Sequence, residues 1–305
     1  MLTPDQLAYF LAVAELGSVS RAAARLHLTQ PALSRHIKAL EQELGCALFA
    51  RTGRGMSTTE AGKRLEARAR PLLSQLASLS ADIADVPVHG EVTLAVTPSL
   101  GLAWTAKTLQ AFRGAYPDVR VRVSVQLSSA VADTLARGLS DLVVFYGPAS
   151  VGVETVPMWT ERLYFVCHHR HPLAGQDWVG CRSVLESPLL LPFFRDGLRL
   201  MLEQQAVAMG IELDVPIEAN SLQLGLELAR RGLGGMVLTE RATADLSARQ
   251  LLVIPIRKPS LKRTAHLGWH APVLSPAARA LRDALIVRAR VDSGTLGNRK
   301  QLPSP

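Results

Sequence analysis

The chain has 305 residues, of which 48% are apolar and 20% are charged, and its formal net charge is +8. This composition excludes an intrinsically disordered protein, and the length is sufficient for two or three domains that each bury a core. The positive charge is compatible with a polyanionic partner but does not specify one.

The compartment is predicted from targeting signals and cysteines. The N-terminus lacks a basic segment followed by a long apolar core, so we expect no secretory signal. No apolar run approaches the ~20 residues that a membrane span needs. The three cysteines, Cys46, Cys167 and Cys181, are a sparse and odd set that fits a reducing compartment. These features predict a cytoplasmic protein.

Three helices are predicted over the first 44 residues. A hydroxyl, a proline and an acid at residues 3–5 are typical of a helix start, and Gly17 is typical of a helix end. A second apolar stripe runs from Val19 to Leu26, and residues 27–29 form a tight break before the third helix. Two helices joined by such a short break predict a helix-turn-helix.

The third helix has an apolar and a polar face. Its apolar positions recur at steps of four, three and four residues, at Leu33, Ile37, Leu40 and Leu44. The opposite face carries an amide, a hydroxyl, a guanidinium and an ammonium, from Gln30, Ser34, Arg35 and Lys38. Such groups suit base edges and phosphates in a DNA major groove, and the alternative is an ordinary solvated helix face.

A basic hairpin is predicted directly after the third helix. Two strand-like segments flank a Gly-containing turn at residues 52–55, and the hairpin carries Arg51 and Arg54. This pattern indicates a wing, from which an arginine can enter the narrow minor groove. Residues 21–64 contain eight Lys or Arg and three acids, which is the charge expected of a phosphate-binding surface.

This N-terminal stretch resembles LysR-type transcriptional regulators. The resemblance is carried by the motifs Phe10-Leu-Ala-Val-Ala-Glu-Leu-Gly-Ser, Leu26-His-Leu-Thr-Gln-Pro-Ala-Leu-Ser, Leu48-Phe49 and Thr59-Glu-Ala-Gly. It implies a regulator that binds double-stranded DNA through a winged helix-turn-helix at residues 1–58. It also implies contacts with RNA polymerase when the protein activates transcription.

The residues that match the family's motif imply specific DNA contacts, which the amphipathic third helix supports independently. The expected contacts to base edges come from Gln30, Pro31, Ser34 and Arg35. The expected contacts nearer to phosphates come from Ser20, Thr29 and Lys38. Arg51 belongs to the wing, and Arg54 is expected in the minor groove.

Residues 59–85 are predicted to form one long linker helix. Its apolar positions form a heptad seam, at Leu65, Ala69, Leu72, Leu76, Leu79 and Ile83. One helix cannot bury such a seam alone, so the seam predicts a partner helix, with packing on the chain's own second domain as the alternative. The resemblance implies antiparallel pairing of two subunits, a homodimer or homotetramer, and an operator with interrupted dyad symmetry.

After a hinge at residues 86–90, short β-rich segments alternate with helical ones, which predicts βαβ units and an α/β fold overall. The resemblance implies an effector-binding domain of two α/β lobes, similar to type II periplasmic binding proteins. Its expected bounds are 91–292, with lobe I at about 91–163 and 266–291 and lobe II at about 164–265. Residues 293–305 are polar and are expected to be disordered.

Open α/β sheets bind ligands outside the carboxyl ends of their strands, and we predict the effector site there. Ser99 and Leu100 are expected to open a helix whose free N–H groups favour an anion. The other candidates offer uncharged donors or an apolar wall: Gln126, Ser128, Ser129, Tyr146, Phe193, Phe194, Asn220 and Ser221. Arg195 adds charge if it points inward. These groups predict a small organic acid with an apolar or aromatic body.

The sequence contains no pattern typical of catalysis, and we expect no enzyme activity and no cofactor. The run from Cys167 to His171 looks like a metal cluster, but neighbours on a strand alternate faces and cannot converge on one ion. Cys167 and Cys181 could form a redox pair, as in a peroxide-sensing branch of the family, although an apolar strand favours a buried thiol.

Two alternatives to an effector-responsive regulator stay open. One is a regulator of the same family that binds no effector. The other, which the sequence favours much less, is a small-molecule binding protein or an enzyme on the same α/β scaffold.

Overall fold

The computed structural model describes residues 2–52, 55–84, 87–101, 103–147, 153–193, 196–244, 246, 251–269 and 274–298. Three predicted site residues, Arg54, Phe194 and Arg195, lie outside these ranges. The side chains of Arg51 and Ser129 also lie outside the described part.

The N-terminal domain consists of three helices and a hairpin: α1 Pro4–Leu16, α2 Val19–Arg25, α3 Gln30–Leu44, β1 Phe49–Thr52 and β2 Gly55–Thr58. Each helix begins after a hydroxyl side chain that accepts a hydrogen bond from its first turn, at Thr3, Ser18 and Thr29. The core is built from residues at helical spacing, including Phe10, Val13, Leu33, Ile37 and Leu40. The predicted inward position of Leu44 is wrong, because this last residue of α3 is 37% exposed.

The linker helix α4 spans Glu60–Ala84. It approaches the hairpin closely at Gly62, where a Cβ atom would lie 2.3 Å from the Leu48 carbonyl oxygen. Ala69 is fully buried, whereas Leu72 and Leu76 are 48% and 47% exposed. Different positions of the predicted seam therefore have different surroundings: the chain itself covers Ala69, and the two leucines lie at the surface.

The remaining chain forms an α/β domain. Its helices are α5 Pro98–Gly101, α6 Ala103–Ala115, α7 Ser128–Ala136, α8 Cys181–Leu185, α9 Gly197–Met209, α10 Leu222–Arg230, α11 Glu240–Thr243 and α12 Pro276–Asn298. Its strands are β3 Gly90–Val96, β4 Val119–Val125, β5 Leu142–Tyr146, β6 Glu154–His168, β7 Val179–Gly180, β8 Leu190–Leu191, β9 Ile217–Glu218, β10 Met236–Thr239, β11 Leu251–Arg257 and β12 Lys262–Trp269.

An eight-stranded sheet runs through both lobes in the order β4-β3-β5-β12-β6-β11-β7, and β10 also pairs with β6. Strand β6 connects the lobes, because it pairs with β12 up to Arg162 and with β10 and β11 from Leu163 onward. Separate apolar cores lie on the two sides of this crossing. The segment of β6 around Arg162 and Leu163, where its pairing partner changes, therefore lies beneath the gap between the lobes.

Strand β6 and helix α12 extend well beyond the sequence-based expectation. Strand β6 begins at Glu154, whereas the sequence pattern predicts a strand only over residues 162–168. Helix α12 continues to Asn298, six residues into the segment that was expected to be disordered. Directly before this extension, Asp292 forms ion pairs with Arg288, at 3.1 Å, and with Arg241, at 3.6 Å. Within the described residues, no helix is long and apolar enough to cross a membrane.

Candidate DNA-binding face and inter-lobe cavity

The predicted DNA-contacting side chains of α3 lie together on one face. Gln30, Pro31, Arg35 and Lys38 are exposed, and Ser34 is partly exposed. The Nε2 atom of Gln30 donates to the Ser34 hydroxyl at 3.1 Å. Thr29 is exposed at the start of the helix, where its hydroxyl accepts the Ala32 N–H at 3.4 Å, and Ser20 is exposed on α2.

Hydrogen bonds from backbone N–H groups hold the hairpin beside α3. An Oε1 atom of Glu41 on α3 accepts hydrogen bonds from the N–H groups of Leu48, at 2.8 Å, and Phe49, at 3.2 Å. The Met56 N–H donates to the Gly17 carbonyl at 3.0 Å, and Gly17 adopts a φ of +59°, a conformation that favours glycine. The strand that carries Arg51 is therefore fixed beside the third helix.

A cavity of about 90 Å³ that opens to solvent lies between the lobes. It is formed where strands β3, β4, β5, β8 and β9 end. Its polar lining comes from both lobes: Thr97, Ser99, Ser128, Tyr146, Asp196, Asn220, Ser221 and Arg263. Its apolar lining includes Leu127, Leu190, Leu198, Leu222, Met236 and Leu238.

Five of the predicted effector-site residues line this cavity: Ser99, Ser128, Tyr146, Asn220 and Ser221. Leu100 does not, because its side chain is fully buried in the lobe I core and its N–H donates to the Thr97 carbonyl at 2.9 Å. Helix α5 also has only four residues. The expected helix start is present, but the expectation that the Leu100 N–H is free is wrong.

Gln126 and Phe193 are not part of the cavity lining either. The Gln126 side chain donates to the Ser124 hydroxyl at 3.0 Å and accepts from Thr134 at 2.6 Å, so it is engaged within lobe I. Phe193 is 51% exposed, and its N–H donates to the Asn220 Oδ1 atom at 2.7 Å.

Three polar residues of the cavity were not among the predicted site residues: Thr97, Asp196 and Arg263. Thr97 directly follows β3, and Asp196 is the buried N-cap of α9, where its Oδ1 atom accepts the Leu198 N–H at 2.8 Å. Arg263 belongs to β12, which begins at Lys262, whereas the sequence pattern predicts this strand only over residues 264–269. The sequence feature that could have indicated Arg263 is an arginine within a strand that crosses between the lobes.

A buried carboxylate lies beneath the cavity. Glu161 on β6 accepts hydrogen bonds from the Tyr146 hydroxyl, from the Trp159 indole at 2.9 Å and from the Arg241 N–H at 2.7 Å. Burial, followed by the charge of Glu161, raises the pKa of Tyr146 well above its usual value, so the phenol stays protonated and donates. The Arg263 guanidinium lies 4.7 Å from the centre of the Tyr146 ring.

The cysteine and histidine candidates are not arranged for redox or metal chemistry. Cys167 and Cys181 are buried, and burial raises the pKa of Cys167 to about 11 and also raises the pKa of Cys181. Both thiols are therefore held in their unreactive protonated form. Across the ranges that the structure covers, no three His, Cys, Asp or Glu side chains are grouped to hold a metal ion.

The N-terminal domain and the α/β domain each match a model of a known family. Residues 4–63 match the bacterial regulatory helix-turn-helix of the lysR family, and residues 87–290 match the LysR substrate binding domain. The nitrogen assimilation regulatory protein nac of Klebsiella aerogenes is 31% identical over 301 residues, which cover 97% of each chain.

Solved structures show the same fold. A full-length OxyR variant from Pseudomonas aeruginosa has a TM-score of 0.80 and 22% identity, with 95% of each chain covered. The LysR family regulator CbnR in complex with its target DNA has a TM-score of 0.64 and 22% identity, with 94% of this chain and 100% of that chain covered. The predicted α/β fold class with an N-terminal winged helix-turn-helix is confirmed. The chain belongs to the LysR family of bacterial transcriptional regulators.

Proposed function

We propose that this protein is a sequence-specific regulator whose DNA binding changes when a small organic acid binds between the lobes of its effector domain. The observation that carries the proposal is the cavity at the strand ends, which is lined by polar groups from both lobes. A ligand that contacts both lobes stabilises the arrangement in which it makes most contacts and thereby shifts the population of the protein's conformations.

The proposed DNA contacts follow from the exposed face of α3. The residues assigned to base edges are Gln30, Pro31, Ser34 and Arg35. Those assigned to phosphates are Ser20, Thr29 and Lys38, with Arg51 and Arg54 on the wing. The exposure of the α3 side chains supports this assignment, since side chains that enter a groove must be free of tertiary contacts.

The proposed effector has an acid group and an apolar or aromatic body. Ser99, Ser128, Asn220 and Ser221 supply hydrogen-bonding groups around the cavity, and leucine and methionine side chains supply its walls. Neutral donors alone give little reason to select an acid, so the charge of Arg263 in the same lining supports this choice.

The proposed active form is a homodimer through residues 59–83, or a homotetramer, on an operator with interrupted dyad symmetry. The exposed Leu72 on α4 supports this, because an apolar side chain at a heptad position is stabilised by a partner helix. Leu72→Asp should give a monomer in light scattering that binds the operator weakly, and a variant that stays dimeric would move the interface elsewhere. A contact with RNA polymerase is part of the proposal for activation only.

The test of the function is DNA binding with and without candidate acids. We expect the protein to retard DNA from upstream of its own gene in a gel shift, with weaker binding as salt is raised. An acid that binds the cavity should change the operator affinity or the footprint. A regulator whose DNA binding is insensitive to every acid that binds it would contradict the effector part of the proposal.

A further inference from the structure

We infer that Arg263 recognises the acid group of the ligand, so that the cavity binds a small carboxylate through a guanidinium on the strand that crosses between the lobes. The inference rests on the proposed effector function and adds the residue and charge that select the ligand. It concerns a residue that none of the sequence motifs indicated.

Two side chains of the cavity have buried polar atoms that lack partners. They are the Nη2 atom of Arg263 and the hydroxyl of Thr97, neither of which makes a hydrogen bond to the described part of the chain. Leaving buried polar groups unpaired costs stability, and it costs most when the group is charged. A ligand that accepts hydrogen bonds from both atoms would remove that cost.

The nearest acids are already engaged. Glu161 lies directly opposite Arg263 in the β6–β12 pairing, but its two oxygens accept hydrogen bonds from Tyr146, Trp159 and Arg241. Asp196 caps α9 through its Oδ1 atom. Both acids influence Arg263 by their charge, yet burial has the larger effect and lowers the pKa of the guanidinium. Its charge is therefore incompletely neutralised.

The surroundings of Arg263 favour an anion. Its Nη2 atom lies 3.1 Å from the position that a Cβ atom would take at Gly197, and that position is 3.7 Å from the Ser128 Cβ atom. Gly197 and Ser128 are the first residues of α9 and α7, which have 13 and nine residues. The start of α9 is already capped by Asp196, whereas no side chain of the described residues caps the start of α7, so the partial positive charge of α7 and the guanidinium together favour a bound carboxylate.

The expected ligand is a carboxylate with a short apolar body. The two oxygens of a carboxylate match the paired N–H groups of a guanidinium, which a neutral amide cannot do with equal strength. The rest of the ligand would pack on leucine and methionine side chains of both lobes. Gly197 leaves the approach to Arg263 open, because any side chain there would come within van der Waals distance of the guanidinium.

The first test needs no ligand. Arg263→Met keeps an unbranched side chain and removes a charge that the ligand-free protein neutralises only in part, so the melting temperature of the variant should equal or exceed that of the wild type. The matched control is Arg241→Met. Arg241 also has two buried nitrogens without partners among the described residues, but it is paired with Asp292 at 3.6 Å and stacks over Trp159 at 4.2 Å, so its loss should lower the melting temperature. Equal losses in both variants would show that Arg263 is structural and would overturn the inference.

The second test uses the full-length protein with butanoate, hexanoate, octanoate and phenylacetate, each paired with its primary amide. At least one acid should bind the wild type more tightly than its amide, and Arg263→Met should weaken that acid about 10- to 100-fold, as expected for loss of a charged hydrogen bond, while leaving amide binding unchanged. Arg263→Lys should retain part of the preference for the acid.

The outcomes separate this inference from the function on which it rests. Equal acid binding by the wild type and Arg263→Met would overturn the role of Arg263, and failure of every acid to bind the wild type would overturn the carboxylate assignment. An acid that binds only when Arg263 is present supports the inference even if it leaves operator binding unchanged. Unchanged operator binding in the presence of such an acid would instead contradict the proposed regulation.

Discussion

The exposed face of α3 and the inter-lobe cavity place polar side chains in opposite environments. On α3, Arg35 and Lys38 are surrounded by water, which satisfies their hydrogen bonds until DNA replaces it. In the cavity, Tyr146 and Ser221 are bonded within the protein, to Glu161 and to the Leu224 N–H.

This difference predicts how the two regions respond to substitution. A change on the α3 face should alter DNA binding with little effect on folding, because the side chains make few tertiary contacts. A change at a cavity side chain that is bonded within the protein should alter stability and ligand binding together. Arg263 and Thr97 are exceptions in the cavity, because their unpaired buried atoms resemble binding groups more than structural ones.

The largest effect should follow from removing the support of the α3 face. Leu33 is fully buried in the core of the N-terminal domain, so Leu33→Ala should lower the free energy of unfolding of that domain by about 2–5 kcal/mol. Operator binding should be lost with it. Leu44→Ala is the control on the same helix, because Leu44 is 37% exposed and its loss should change stability by less than about 0.5 kcal/mol. Calorimetry resolves both, and equal effects would contradict the observed packing.

The next effect concerns the cavity. An acid at ~100 times its dissociation constant should stabilise the wild-type effector domain by about 2.7 kcal/mol, and Ser99→Ala by less, because Ser99 lines the cavity. Ser183→Ala, on the exposed surface of α8 in lobe II, should respond like the wild type. A thermal-shift titration measures these differences. If Ser99→Ala and Ser183→Ala gained equal stability, Ser99 would have no role in binding.

Two substitutions on α3 should separate base recognition from phosphate contact. Arg35→Ala should cost ~1–3 kcal/mol of operator affinity and relax the preference at one base pair. Lys38→Ala should weaken binding to all sequences and flatten the dependence of affinity on salt. Neither should alter the melting temperature, because both side chains are exposed. Unchanged affinity and salt dependence in both variants would disprove the assignment of this face.

The smallest effect should come from a contact between the N-terminal domain and lobe I. Arg122 on β4 lies 3.6 Å from Glu15 of α1 and 3.1 Å from Glu91, and it is 51% exposed. Exposed ion pairs contribute little, so Arg122→Gln should change stability by at most about 1 kcal/mol. Operator binding without ligand should be unchanged. A large loss of stability would indicate that the two regions depend on each other more than their separate contacts suggest.

The elements whose signals lie within a few residues were predictable from the sequence. The caps at Thr3 and Thr29 and the apolar spacing of Leu33, Ile37 and Leu40 determine helices α1 and α3, because helical periodicity places those residues on one side. The exposed face of α3 could be predicted directly from this spacing, since all of its side chains lie on one helix. Most strands of the α/β domain were also predicted, although β6 begins earlier and α12 ends later than expected.

The cavity depended on contacts between distant parts of the chain. Ser99 and Asn220 could be proposed because they follow strands, but the sequence alone did not separate them from Gln126, whose side chain turns to Ser124 and Thr134 instead. Side-chain direction at a strand end is decided by the neighbours that folding brings together, and these are not adjacent in sequence.

The clearest case is the charge at the centre of the cavity. Arg263 is an ordinary basic residue in the sequence, one of 34 Lys or Arg in the chain. The pairing of β12 with β6 places Arg263 opposite Glu161. The oxygens of Glu161 already accept hydrogen bonds from other groups, so only the folded structure reveals that Arg263 has an unpaired nitrogen. Short-range spacing predicts the local helices and most of the strands, and the resemblance of short motifs indicates the family. Which buried polar groups find partners follows only from the tertiary structure, because those partners are supplied by long-range pairing.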